Sequence, residues 1–505
     1  MNRRKFIVKG TGALAAGLTG AVDATVASAQ QPAPAARQVG TCGPPPRKNP
    51  ERQTSAESIP PLPLPATPLR RSEPKAEPAP PLMIAKLEYG TTQDWNTDPG
   101  DADNLMRQVR SALGLWYGWK HLKIGDLVAT YKAGKQLKIP ALYVSGHEAF
   151  TFSEEEREGI RQYLLDGGTM IGDACCGRPE FTTAFRTEVR KLFPDRTFDL
   201  MEMDHPVFRA FYKYSTANYV DYRMGGKNEY QSAPQLLGMN LGCRTAILMS
   251  PADLSCGWDD HTHPHGFRLF PGDATRMGIN MISYIAAMRQ LAESQATTRE
   301  VKQADSQPRS QFVLAQLRHQ GDWNPDPNST YQMLRHVSNE ASLAVSFDLR
   351  YVDPSETRIA PYPFLYMTGF RDPKFKDEEL AAIRRHLQAG GFLFINNPSG
   401  YNAFDRHVRD MVKTLFPDQK LAGLDKDHDF FKAFHTIGEA KDRQSGAARA
   451  IEMEGINIRK RTVLIYSKND MVTHLKQVSD PFGNGYDAET CRKLAVNMVA
   501  YALQS

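Results

Sequence analysis

The sequence predicts an α/β protein made of two tandem, doubly wound parallel-sheet domains. Three observations carry this: an internal repeat, alternation of short apolar runs with amphipathic segments inside each copy, and a globular composition. Residues 142–212 align without a gap to 365–435, with roughly a third of the positions identical. Leu142-Tyr143-x-x-Gly146 matches Leu365-Tyr366-x-x-Gly369, Gly167-Gly168 matches Gly390-Gly391, Phe193-Pro194-Asp195 matches Phe416-Pro417-Asp418, and Asp204-His205 matches Asp427-His428. Outside this block Asp94-Trp95-Asn96 pairs with Asp322-Trp323-Asn324, Arg244-Thr245 with Arg461-Thr462, and Asn280-Met281-x-x-Tyr284 with Asn497-Met498-x-x-Tyr501.

In chain order, residues 1–29 form a cleavable export leader. Arg3-Arg4-Lys5-Phe6-Ile7 precedes an apolar stretch from Gly12 to Val22, and Ala27-Ser28-Ala29 closes it. The paired arginines resemble a twin-arginine signal, which implies periplasmic or other export of a folded chain. Residues 30–82, with Pro-Pro-Pro at 44–46 and alternating prolines at 61–65, predict an extended, disordered spacer. The first domain is expected over 83–295 and the second over 310–505. Within the first, Ala141-Leu142-Tyr143-Val144 reads as a strand, and Ser153-Glu154-Glu155-Glu156 as a capping box opening a helix through Ile160, Tyr163 and Leu164. Gly167-Gly168 ends that helix, Thr169-Met170-Ile171-Gly172 is the next strand, and Phe181 to Phe193 the next helix. Strands separated by helices join in a parallel sheet through right-handed crossovers, so ligands are expected at the carboxyl ends of the strands.

Charge narrows the function classes. The net +5 is carried by the leader, where four cations face one acid, and by the linker, where seven cations face four acids. The folded body is left near −1, which removes the electrostatic reason to expect nucleic acid. Beyond the leader no run of about 18 apolar residues offers a membrane span. The linker also offers a site where a protein partner could dock.

The Gly146-His147 turn, Gly167-Gly168, Asp173 with Cys176-Gly177, Phe193-Pro194-Asp195 and Asp204-His205-Pro206 together resemble the bacterial domain of unknown function numbered 4159, over both halves from about 83 to 503. The resemblance implies a flavodoxin-like fold similar to the class I glutamine amidotransferase-like and trehalose-utilisation-like superfamily. It implies no activity. The amidotransferase pattern Gly-x-Cys-x-Gly is absent, because Ala174 and Arg178 flank Cys176 at that spacing, so glutaminase chemistry is not expected.

The candidate catalytic residues are Asp173, His147 and Cys176, at or just after predicted strand ends. Asp173 reads equally as a loop acid, and Cys176 as a small buried thiol. Glu148, Asp204, His205 and Trp95 are candidate ligand contacts, against the alternatives of a solvated turn, a hydrogen-bonded structural pair and a packed aromatic. In the second half His147, Glu148, Asp173 and Cys176 become Phe370, Arg371, Asn396 and Ser399. That pattern fits a working first half beside a degenerate second half, or drift at two exposed loops. Asp259-Asp260-His261-Thr262-His263-Pro264-His265 is the densest chemistry; alternate residues of an extended segment share a face, so His261, His263 and His265 could converge on one zinc-like divalent ion. A solvated loop is the competing reading. Adjacent Cys175 and Cys176 make a strained pair, so disulfide partners would be sought at Cys243 or Cys256.

Three functions follow. The favoured one is an exported, non-catalytic binding or envelope-assembly protein with clefts for a carbohydrate or cell-envelope component. The alternative is a metal-assisted hydrolase of such a substrate using the first domain, and the third is a structural tandem. Proximity of His261 or His263 to Asp173, Glu148 or Asp204 would favour the hydrolase.

Overall fold

A computed structural model describes residues 79–296 and 311–504 except Thr262, Lys476, Gln477 and Ser479. The leader, most of the linker and Cys42 lie outside the described residues. In the first domain the strands are β1 (Leu82–Glu88), β2 (Gly118–Lys123), β3 (Ala141–Gly146), β4 (Thr169–Ala174), β5 (Asp199–Leu200), β6 (Ala217–Asp221), β7 (Asn228–Ser232), β8 (Leu237–Leu241), β9 (Arg244–Ser250) and β10 (Phe267–Leu269). The helices are α1 (Asp101–Leu113), α2 (Ile124–Lys132), α3 (Glu154–Leu165), α4 (Pro179–Leu192), the single turn α5 (Ser255–Trp258) and α6 (Pro271–Ala296). The main sheet has the order β2-β1-β3-β4-β9-β8-β5. Its first five strands are parallel.

The second domain repeats this plan with β11 (Ala315–Leu317), β12 (Arg350–Val352), β13 (Phe364–Thr368), β14 (Phe392–Asn396), β15 (Ala422–Gly423), β16 (Ala440–Lys441), β17 (Ala448–Arg449), β18 (Met453–Ile458) and β19 (Arg461–Ser467). Its helices are α7 (Pro327–Ala341), α8 (Glu356–Ile359), α9 (Asp377–Gln388), α10 (Asn402–Leu415) and α11 (Ala488–Gln504). The sheet order β12-β11-β13-β14-β19-β18-β15 is the same, strand for strand. The chain is therefore two tandem α/β domains. Among the described residues, no helix is long and apolar enough to cross a membrane.

Local chemistry explains the elements. β3, β4 and β9 are buried at every residue, as central parallel strands covered on both faces must be. At α3, Ser153 Oγ accepts from Glu156 N and the Glu156 carboxylate accepts from Ser153 N at 2.7 Å. The helix buries Ile160, Tyr163 and Leu164. Truncating one of these to alanine costs about 2–5 kcal/mol. The chain leaves α3 through Gly167 at φ +97°, where an added Cβ would meet the Ala292 backbone at 3.0 Å.

The sheet departs from the all-parallel expectation at one edge. β8 and β9 form an antiparallel hairpin through Gly242, whose φ of +63° suits a tight reversal. β8 therefore adds to the sheet without a crossover helix, and β5 extends it antiparallel. At the other side the chain starts at β1, moves outward to β2 and returns to β3. The crevice at the carboxyl ends of β1 and β3 is the usual ligand position in such sheets.

Candidate metal centre

Four loops meet at the carboxyl edge of the first sheet. The loop after β1 brings Asp94 and Asp98, the loop after β3 brings His147, the turn after β4 brings Cys175 and Cys176, and the segment after β9 brings Asp253, Cys256, Asp259, His261, His263 and His265. The β4 turn is sharp enough to place Cys176 at φ +56° before the chain enters α4. Its counterpart Ser399 has φ +57°, so this strained turn belongs to the fold of both halves.

The side chains form one buried cluster. Cys175 Sγ lies 3.9 Å from Cys256 Sγ, about twice a disulfide length. His263 Nε2 lies 3.3 Å from Cys256 Sγ and 3.6 Å from Cys176 Sγ. On the other side of Cys176, His147 Nε2 stands 3.3 Å from the sulfur. Ligand atoms of Cys175, Cys176, Cys256 and Asp253 all fall within 4.8 Å of one another. Thiolates around a tetrahedral zinc at ~2.3 Å are about 3.8 Å apart, so the Cys175–Cys256 spacing already suits one ion. The three sulfurs are at most 1% exposed.

Carboxylates enclose the sulfurs. Asp98 Oδ2 accepts from Cys175 Sγ at 3.2 Å and Cys256 Sγ at 3.5 Å. Asp253 Oδ1 accepts from Cys256 N at 3.0 Å, but its Oδ2 is buried without a hydrogen-bond partner. An orphaned buried carboxylate oxygen is costly, and a cation relieves that cost. Both imidazoles are oriented from behind. Asp94 Oδ1 stands 3.2 Å from His147 Nδ1, while Asp94 Oδ2 accepts the amides of His147 and Glu148. Arg268 Nη1 lies 3.3 Å from His263 Nδ1.

Burial opposes the Asp98 charge, yet hydrogen bonds from His261, Ser255 and Cys175 hold this carboxyl below its ordinary value. For Asp94, burial is likewise outweighed by His147 and the Glu148 amide. Burial disfavours a charged His147, but Cys175 and Asp94 override it and raise its pKa. Asp253 is driven well above the carboxylate range by burial, then by Asp173 and Asp98.

The other sequence candidates occupy different places: Asp173, Glu148 and Asp204 join neither histidine cluster, so the proximity expected of a hydrolase is not found there and that reading rests on the sulfurs. Asp173 is fully buried and clamps the β9–α5 loop, accepting from Leu254 N at 2.9 Å and Ser255 N at 3.1 Å. Burial pushes its carboxyl up to about 7. Glu148 is exposed beside the cluster. Trp95 is buried edge-on against His121. His205 Nδ1 accepts from Val207 N and its Nε2 lies 2.9 Å from Thr245 Oγ1. His428 makes the same contacts with Phe430 N and Thr462 Oγ1, so this histidine shapes a turn in both halves. Asp204 faces Arg406 of the second domain at 3.4 Å. A cleft of about 190 Å³ between the domains is lined in part by Asp199, Asp204, His205, Tyr284, Arg371 and His407; its cysteine is Cys243, and none of Cys175, Cys176 and Cys256 lines it.

The three loop histidines do not converge on one point. His263 and His265 stack at 4.0 Å beside Cys176, whereas His261 joins Asp98 and Asp259. His263 and His265, on either side of Pro264, keep a common side, while Asp260 just before His261 turns the chain with φ +54°. Asp98 and Asp253 were not singled out by sequence pattern; Asp94 was noted only in the repeat and Cys256 only as a disulfide candidate. The repeat carried a signal for the acids, which recur as Asp322, Asp326 and Asp470.

Fold and site together define a tandem α/β protein with a thiol-rich candidate metal centre in its first half. Domain of unknown function (DUF4159) matches residues 83–286 and again 313–503, and the chain belongs to that family. No curated protein matches the chain.

Proposed function

We propose that the first domain binds a zinc-like divalent ion through Cys175, Cys176 and Cys256, keeps the position beside Asp253 open for water, and works as a metal-assisted hydrolase. The observation that carries this reading is the meeting of three buried sulfurs with Asp253 Oδ2, which accepts no hydrogen bond and has His263 Nε2 at 3.9 Å, at ligand spacing. Such an ion supplies Lewis acidity for hydrolysis when bound. His147 and His263 flank Cys176, oriented by Asp94 and Arg268. The partly exposed His265, stacked on His263, marks the side from which a substrate approaches.

The leader in the sequence supports an extracytoplasmic substrate, a carbohydrate or another envelope component. Export of a folded chain also suits a thiol centre loaded before it meets an oxidising compartment. The test is hydrolysis of 4-nitrophenyl acetate and 4-nitrophenyl glycosides by zinc-loaded full-length protein, with and without 1,10-phenanthroline. Chelator-sensitive turnover that disappears in Cys256→Ser and survives in Thr473→Val is expected. Turnover indifferent to metal, or none on any probe by the loaded protein, would overturn the hydrolase reading; the latter result would favour a binding protein.

A further inference from the structure

We infer that a second divalent cation site, with oxygen and nitrogen ligands, lies against the thiol centre and is formed by Asp98, Asp259 and His261. Their ligand atoms fall within 4.8 Å of one another. His261 Nδ1 lies 3.4 Å from Asp98 Oδ1. Asp259 is only 5% exposed; its Oδ1 accepts from Asn104 Nδ2 at 2.9 Å, while its Oδ2 is buried with no hydrogen-bond partner. That second oxygen is an independent sign of a missing positive partner, because a buried carboxylate oxygen left unsatisfied is expensive.

Asp98 links this group to the sulfurs. Its Oδ2 faces Cys175 and Cys256 while its Oδ1 faces His261, so one carboxylate presents an oxygen to each group. A bridging carboxylate of this kind suits a pair of ions roughly 4 Å apart. The two donor sets differ in character. Sulfur-rich ligands select zinc-like ions, whereas two carboxylates and an imidazole also accept manganese. The second half has lost this group as well: at the constant offset that joins Arg244 to Arg461 and Asn280 to Asn497, Asp259 becomes Lys476 and His261 becomes Val478. Asp326, the counterpart of Asp98, is used as a helix cap that accepts from Ser329 N at 3.1 Å.

The site stands beside the proposed thiol centre but has its own ligands, so its test separates the two. Full-length protein is loaded with cobalt(II), and separately with zinc or manganese, dialysed, and measured for metal per chain and for the sulfur-to-cobalt charge-transfer band. Two ions per chain are expected, with one lost and the band kept in Asp259→Asn and in His261→Ala. Cys256→Ser should lose the band. A single ion in a parent that shows the sulfur band, or an ion count unchanged from the parent in the Asp259→Asn/His261→Ala double variant, would overturn the inference. A parent with no sulfur band but one ion removed by Asp259→Asn would instead sink the thiol centre and leave this site standing. Circular dichroism confirms that each variant is folded, and the parent's stoichiometry decides the matter if one is not.

Discussion

The carboxyl edges of the two sheets share a backbone and differ in what fills them. In the first domain the turn after β4 and the loop after β9 bring together sulfurs, imidazoles and a carboxylate oxygen that accepts no hydrogen bond. In the second, Cys175, Cys176, Cys256 and His263 are replaced by Pro398, Ser399, Thr473 and Asp480. Asp470, the counterpart of Asp253, is saturated: it accepts from Asn396 Nδ2 at 3.1 Å, Ser399 N at 2.8 Å, Val472 N at 3.0 Å, Thr473 N at 3.1 Å and the Thr473 hydroxyl. Phe370, Tyr401 and Phe482 close that edge, and they pack on the first domain's core, where Phe482 stacks on Tyr284. The same architecture packs against the neighbouring domain in one half and carries the sulfur, imidazole and carboxylate cluster in the other. Asp253 keeps a buried oxygen outside any hydrogen bond while its twin Asp470 is fully paired, and this difference supports the proposed ligand site.

The largest expected effect tests that contrast directly. Cys256→Ser should abolish zinc binding at the thiol centre, whereas Thr473→Val at the matching position should leave metal content unchanged, as read by elemental analysis of the purified chain. Next comes the buried support of the site. Lys86, fully buried, donates to Asp101 at 2.8 Å and to the Asp98 carbonyl at 2.8 Å; the second half has Gln316 and Ser329 instead. Lys86→Gln should cost about 3–5 kcal/mol in urea unfolding by stranding Asp101. Adding Asp101→Ser, which copies the second half, should recover most of the loss.

A third comparison concerns protons. In the second domain His319 accepts from Gly321 N and lies 2.9 Å from the Thr368 carbonyl, and burial pushes its pKa down to about 4. Since the folded value lies below the unfolded one of about 6.5, its stabilising contribution is complete above about pH 6.5 and is lost as pH falls towards 4. The stability gap between the parent and His319→Gln should therefore narrow over that window, by at most about 3 kcal/mol. The smallest effect pits twin acids against each other. Asp470→Asn should destabilise the chain by about 1–3 kcal/mol through its lost acceptors, while Asp253→Asn should leave the metal-free melting temperature level or higher. Equal losses at the two positions would contradict the contrast between them.

Much of the fold was legible in the sequence, and less of the site. The repeat, the Ser153 capping box and the Gly167 stop are local patterns with local causes, and each is found in the structure. The β8–β9 hairpin was not legible because its strands resemble parallel ones in composition, and only the Gly242 turn reveals the reversal. His147 and Cys176 were named, and they stand 3.3 Å apart. Asp98 and Asp253 were not, and Cys256 was named only as a disulfide candidate, because they meet through a topology that brings residues over 150 positions apart into contact, as Asp98 and Cys256 show. The loop histidines were grouped by spacing, whereas the structure sets His263 and His265 beside Cys176 and His261 beside Asp98 and Asp259.

The most direct measurement is anomalous diffraction at the zinc absorption edge from crystals of the zinc-loaded chain. The account predicts a strong peak among Cys175, Cys176, Cys256 and Asp253 and none beside Ser399 and Asp470. A first domain without that peak, or zinc bound at the second domain's edge instead, would contradict it.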